Sequence, residues 1–160
     1  MSFEKLLDNK KIQRLLKKQE LGFELVEKDI QTATDNLKLD NNWAAVIAYE
    51  SVLRAINRLM NFLGYRAIGK EHHKNMFEFL KETRINQQLV EYFDNIRKKR
   101  NNFLYRDVES ISKEEAEEII KKAGEFVQEI RTFVQEIRTK NNLKTKGNKK
   151  EVALKNKKVN

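Results

Sequence analysis

Cysteine and proline are both absent from this chain of 160 residues, glycine occurs five times and histidine twice. Without cysteine there is no disulfide framework, no thiolate zinc site and no cysteine nucleophile. Without proline, and with little glycine, the usual helix breakers are missing, which favours long helices. Long hydrophobic runs are missing too. The longest stretch free of charged residues is Asn41–Tyr49, less than half of the roughly 20 residues that cross a bilayer. The first residues, Met1-Ser2-Phe3-Glu4-Lys5-Leu6-Leu7, hold no apolar segment followed by a small-residue cleavage site. No secretory signal is expected, and a soluble cytoplasmic protein is. The length suits one domain able to bury its own core without a metal or disulfide staple.

What the chain has in abundance is charge, 33 basic against 24 acidic side chains, for a net +9. That excess is uneven. Residues 140–160 carry eight lysines and one acid, Glu151, so they hold +7 of the total and residues 1–139 only +2. The Lys/Asn-rich tail reads as a disordered extension. It either adds nonspecific affinity for RNA or DNA or serves only as a solubilising tail. In the nearly neutral remainder, function must lie in local clusters.

Helical periodicity runs through that remainder. Residues 1–20 form a short amphipathic lead with Phe3, Leu6, Leu7, Ile12, Leu15 and Leu16, read as one or two short helices. Phe23, Val26, Ile30, Ala33 and Leu37 follow at spacings of 3 and 4, the mark of one buried helix face. Asp40-Asn41-Asn42 then offers capping side chains to a helix with Val46, Tyr49, Leu53, Ile56, Met60 and Leu63 on one stripe. Val52 and Leu59 widen that stripe, so this helix is expected at the centre, with Gly64 as its left-handed stop. A shorter helix carries Met76, Phe77, Phe79 and Leu80. Another begins near Asn86 with Leu89, Phe93 and Ile96. Ser112-Lys113-Glu114-Glu115 is a capping box, and it opens a last helix striped by Ile119, Ala123, Phe126, Ile130, Phe133 and Ile137. That helix holds a perfect tandem repeat, FVQEIRT at 126–132 and again at 133–139. Seven residues is the coiled-coil period, so the second copy keeps the stripe in phase, either as a longer dimer arm or as a harmless duplication. No segment alternates long enough to make a confident strand. The expected fold is all-α, an up-and-down bundle of about five main helices over 21–139.

The pattern breaks at one place. In the helix after residue 86 the apolar stripe runs Leu89, Phe93, Ile96 and then Arg100. A guanidinium on a buried face costs several kcal/mol unless it is paired or opens onto a polar cleft. Around it, Arg97-Lys98-Lys99-Arg100-Asn101-Asn102-Phe103-Leu104-Tyr105-Arg106 holds five basic residues. Arg97, Asn101 and Tyr105 fall at successive turns of one polar stripe. Arginine offers a planar fork to phosphate, asparagine an amide, tyrosine a hydroxyl and a ring for base stacking. These are parts for holding RNA, with Arg97, Lys98, Lys99 and Arg106 on the backbone. The competing reading is a solvated basic face running into a frayed helix end.

At these residues the chain resembles the HEPN superfamily, small all-α domains named for nucleotide binding in higher eukaryotes and prokaryotes. The hallmark is an Arg, usually followed by Asn, then a His a few residues on, near the end of a core helix. Arg100-Asn101-Asn102-Phe103-Leu104-Tyr105 matches the opening and the spacing, with Tyr105 in the His position. Trp43–Glu50, Gly64-Tyr65-Arg66, Gly69-Lys70-Glu71-His72-His73 and Phe77-Glu78-Phe79-Leu80 resemble further stretches of a prokaryotic branch. The likeness spans roughly residues 20–135. It implies a homodimer whose motif helices face each other across a cleft. It also implies one of two roles: a metal-independent ribonuclease toxin, often paired with a nucleotidyltransferase antitoxin, or a non-catalytic RNA-binding or partner-binding module.

On that resemblance Arg100, Asn101 and Tyr105 are the catalytic candidates. RNA cleavage without metal needs the 2′-oxygen deprotonated, the phosphorane charge stabilised and the leaving oxygen protonated. Arg100 can stabilise the charge and Asn101 can position the phosphate. Tyrosine titrates near 10, so it is a poor base at neutral pH but can donate a proton. Losing a proton-transfer group typically costs ~10²–10⁴ in rate. His72 and His73, adjacent on a helix, diverge by about 100° and cannot share one metal. They read as structural, with the alternative that one reaches the Arg100 cleft. No metal and no cofactor is expected, because the chain has neither a Gly-rich phosphate loop nor an H-E-x-x-H motif. Glu114, Glu115, Glu117 and Glu118 suit the N-terminus of a helix dipole.

Overall fold

The computed structural model describes residues 1–105 and 111–157, and side chains at 1–99 and 111–157. Six helices and two short strands occur among them, and the fold is all-α. Its axis is α3 (Asn41–Leu63), 23 residues long, or about 35 Å. Both predicted stops of α3 are present. The Asp40 carboxylate accepts from the Trp43 N–H at 2.9 Å, and Gly64 closes the helix at φ 89°. A side chain at position 64 would hold that left-handed conformation at a cost, and its Cβ would press on Lys18 at 3.2 Å. Thirteen residues of α3 are buried, more than one face supplies, which is why it sits between neighbours.

Two helices flank α3. The first is α2 (Glu24–Asn36), which buries Val26 and Ala33. The second is α6 (Lys113–Lys157), which buries Ile119, Ala123, Phe126, Ile130 and Phe133 from the expected stripe. The capping box of α6 is made in both directions: Glu115 N–H to Ser112 Oγ at 3.1 Å, Ser112 N–H to Glu115 Oε2 at 3.2 Å. Arg131 pairs with Glu27, and Arg138 with Glu20 at 3.5 Å. The two arginines are equivalent positions of the heptapeptide repeat and their acids are also seven apart. As α6 advances its partner recedes, so α2 and α6 run antiparallel. α4 (His72–Lys81) and α5 (Gln87–Tyr105) complete the bundle. Phe93 of α5 meets Phe126 of α6 edge to face, centroids 5.5 Å apart, both fully buried.

Two expectations change. The lead is one helical turn, α1 (Glu4–Asp8), followed by a strand, β1 (Ile12–Arg14). Lys10 adopts φ 52°, a left-handed turn that ends any continuing helix. β1 then pairs antiparallel with β2 (Tyr65–Ala67), Ile12 opposite Ala67 and Arg14 opposite Tyr65. Leu15 N–H donates to Gly64 O at 2.8 Å, so the lead straps the end of α3. Phe3 stacks on Phe79 with centroids 4.2 Å apart, and Ile12 is buried, whereas Leu16 is fully exposed. The apolar residues of 1–20 therefore belong to two different local structures, not to one helical stripe. The second change is at the other end. Residues 140–157, expected to be disordered from composition, continue α6 as an exposed helix. No proline interrupts them, and Glu151–Lys155 adds an i,i+4 pair at 3.1 Å.

Candidate functional site

α5 is anchored by Leu89, Val90, Phe93 and Ile96, all buried, and its next turns carry the Arg-Asn motif. The helix runs without a break to Tyr105. Positions 94, 97, 98, 101 and 105 therefore share one side of it. Position 100 continues the line of Leu89, Phe93 and Ile96. The side chains of Arg100, Asn101 and Tyr105 lie outside the described residues, and so does Arg106 altogether.

The turn that leads into the motif is built around a residue that the periodicity does not single out. Asp94 is 8% exposed, a buried carboxylate on an otherwise polar stripe. Arg97 donates to it through Nε at 2.7 Å. Lys81, arriving from α4, stands 3.6 Å away, and Lys98 3.9 Å. One anion thus gathers three cations, and the surplus is a compact positive site one turn ahead of Arg100. Arg97 makes the closest of the three contacts, charge-assisted and the least exposed to water. The Asp94–Arg97 pair is visible in the sequence as an i,i+3 spacing. The contribution of Lys81 is not, since it depends on how α4 packs on α5.

Lys99 does not join this group. With Tyr92, Asn95 and Ile96 it lines a groove of about 330 Å³ whose other wall is Ile111, Glu115, Glu118 and Ile119 of α6 and its approach. The basic run 97–99 is split by helical geometry into Arg97 and Lys98 on the Asp94 side and Lys99 on the α6 side. In that groove the Tyr92 phenol is pushed up to about 12, first by burial and then by the negative charges of Glu118 and Glu115. Lys122 lies over its ring at 5.0 Å. The carboxylates assigned to the helix dipole therefore also shape this groove.

Ile111 is fastened to α3. There Asn42 Oδ1 accepts from the Ile111 N–H at 2.8 Å and Asn41 Nδ2 donates to its carbonyl at 3.3 Å. The asparagines expected to cap α3 instead fix the far end of the motif connection against α3, while Asp40 alone makes the cap. His72 is exposed, with Nδ1 3.3 Å from Gly69 O, and its ring meets His73 edge-on at 4.2 Å. Among the described residues no group of three His, Cys, Asp or Glu is arranged to hold a metal ion. None of their helices is long and apolar enough to cross a membrane.

The family model described as HEPN domain matches residues 23–133, from the residue before α2 to the first residue of the repeat's second copy. No curated protein and no solved structure matches the chain. A match over more than half of the chain, on an all-α fold, establishes the relationship. The chain belongs to the HEPN family, which points to an RNA-related or nucleotide-binding role.

Proposed function

We propose that this HEPN domain binds RNA at the C-terminal half of α5 and cleaves it as a metal-independent endoribonuclease, working as a homodimer. The observation that carries the reading is Asp94 with its three cations, an electropositive turn just ahead of Arg100-Asn101. Phosphate is the ligand such a turn fits, since Arg97 and Lys98 present more charge than Asp94 absorbs. Arg100 stabilises the phosphorane and Asn101 orients the phosphate. The 2′-oxygen attacks phosphorus and loses its proton to water. The 5′-oxygen leaves and takes a proton from the Tyr105 phenol, which solvent restores. With tyrosine unable to act as the base, turnover is slow. A cell would tolerate such an enzyme as a toxin held by an antitoxin of the nucleotidyltransferase type.

One observation favours a second reading: Tyr105 stands where the family motif has its His. In that case the domain is a non-catalytic interaction module and Tyr105 a docking residue. Incubation of the purified chain with single-stranded RNA in excess EDTA separates the two. Cleavage abolished by Arg100→Ala, and raised ~10²-fold or more by Tyr105→His, is the expected result. Wild-type protein with neither cleavage nor RNA affinity at low salt rejects the RNA reading. A stoichiometric partner retained by Arg100→Ala supports the module.

A further inference from the structure

Most of the bundle's described arginines are met by acids. Arg14 meets Glu4, Arg54 meets Asp29, Arg84 meets Glu136, and Arg131 and Arg138 meet Glu27 and Glu20. The end of α6 behaves differently. Ile137 and Arg138 are its last half-buried residues, and from Thr139 to Lys157 every residue is exposed. The core stripe does not simply fade. Positions that continue it are Asn141, Lys144, Asn148, Glu151 and Lys155, polar where the bundle needs apolar side chains, so the helix leaves the bundle. It projects for about 28 Å at 1.5 Å per residue. It carries Lys140, Lys144, Lys146, Lys149, Lys150, Lys155 and Lys157. Among the described residues only Lys155 of these is ion-paired, with Glu151.

We propose that this projecting helix is a second nucleic-acid contact, a backbone-binding arm that engages RNA phosphates outside the motif site. The choice of RNA as the polyanion rests on the RNA-directed reading above; the arm's geometry and charge do not. Two features fit a phosphate backbone better than an acidic membrane surface. The lysines spread over about two thirds of the helix circumference rather than line one flank. The exposed apolar residues form no face: Leu143 and Val152 point about 180° apart on the wheel, and only Leu154 shares a side with Leu143. An interfacial helix needs such a face. Lys140–Lys144 and Lys146–Lys150 are also like-charge i,i+4 pairs that weaken the helix, and any polyanion laid along it removes that repulsion. RNA binding should therefore raise helicity as well as release counterions.

The test uses the full chain and a labelled single-stranded oligouridylate, read by fluorescence anisotropy across a salt series. The arm is neutralised in place by Lys140→Gln, Lys144→Gln, Lys149→Gln and Lys150→Gln together, and removed in a second variant ending at Thr139. Neither change touches a buried residue, so both proteins keep the bundle. The expected result is at least a tenfold loss of affinity at low salt. The slope of log affinity against log salt should fall by about 3 in the four-lysine variant, at ~0.7 for each phosphate that a lysine no longer neutralises. Arg100→Ala should keep that arm-dependent part. RNA added to wild type should increase the helical circular dichroism, and added to the truncated form should not. If both arm variants bind with wild-type affinity and slope, the arm is overturned while the motif-site reading stands. If Arg100→Ala alone removes all affinity, the arm is likewise overturned. If the full chain ignores RNA but binds phosphatidylserine vesicles through the same lysines, both readings fail and the arm is a membrane contact.

Discussion

A buried carboxylate is costly unless its charge is met, and Asp94 meets its charge three times. Asp94→Asn keeps the shape but removes the anion, leaving Arg97, Lys81 and Lys98 to repel one another. A hydrogen bond to a charged partner is worth about 1.5–3 kcal/mol, and urea unfolding should show a loss of about that size. Lys98→Ala removes only an exposed ammonium 3.9 Å away and should cost less than ~0.5 kcal/mol. Equal, negligible effects of the two changes would mean that Asp94 organises nothing. Tyr92 gives a pH-dependent counterpart. Its phenol titrates at about 12 in the folded protein and near 10 when unfolded. Between those values the unfolded chain gives up the proton first and so binds fewer protons than the native state. Stability from this group is complete below pH 10 and is lost as pH rises toward 12. Urea midpoints measured over that window should fall more steeply for wild type than for Tyr92→Phe. Parallel curves would show that the groove around Tyr92 is open to water.

At the scale of elements, α6 shows what a seven-residue duplication does when it keeps phase. Phe126 and Phe133, Val127 and Val134 occupy equivalent buried places. Glu129 accepts from the Asn86 N–H, and Glu136 meets Arg84 in the same connection between α4 and α5. Arg131 and Arg138 reach acids seven residues apart. The second copy is thus part of the bundle wall, with Arg84 over the Phe133 ring at 4.9 Å and Arg138 over Phe62 at 5.5 Å. Excising either copy yields the same chain and puts Lys140 and Asn141 where Phe133 and Val134 pack. Phe133→Ala by itself should lower stability by about 3–5 kcal/mol in thermal or urea unfolding. An unchanged midpoint would mean that the second copy adds length and nothing to the core. A strand, by contrast, is invisible at this scale. Three residues are too few for alternation to register, and Ile12 is buried only because Tyr65–Ala67 is there to pair with.

For the whole molecule, the separation of charge matters more than its sum. A nearly neutral bundle bears one fixed positive turn around Asp94, and a helix loaded with unpaired lysines extends from its edge. Net charge of +9 alone would have suggested a uniformly basic surface. The structure instead separates the turn around Asp94, beside the first half of α6, from the lysines that its last turns carry, and the motif-site and arm-variant experiments above test the two separately.

The sequence by itself determined the main helices of the bundle, the stops of α3 at Gly64 and Asp40, the reciprocal Ser112–Glu115 cap, the core stripe of α6 and the resemblance to HEPN domains. These are properties of neighbours three or four residues apart, where periodicity and capping chemistry leave a readable mark. Only the tertiary structure decided that Lys81 would come to Asp94, that Lys99 would face Glu115 and Glu118, and that Phe3 and Ile12 would strap the lead onto Phe79 and Ala67. Those contacts join residues far apart in the chain. Their energies exist only once packing has brought the partners within a few ångströms, and no local pattern encodes them.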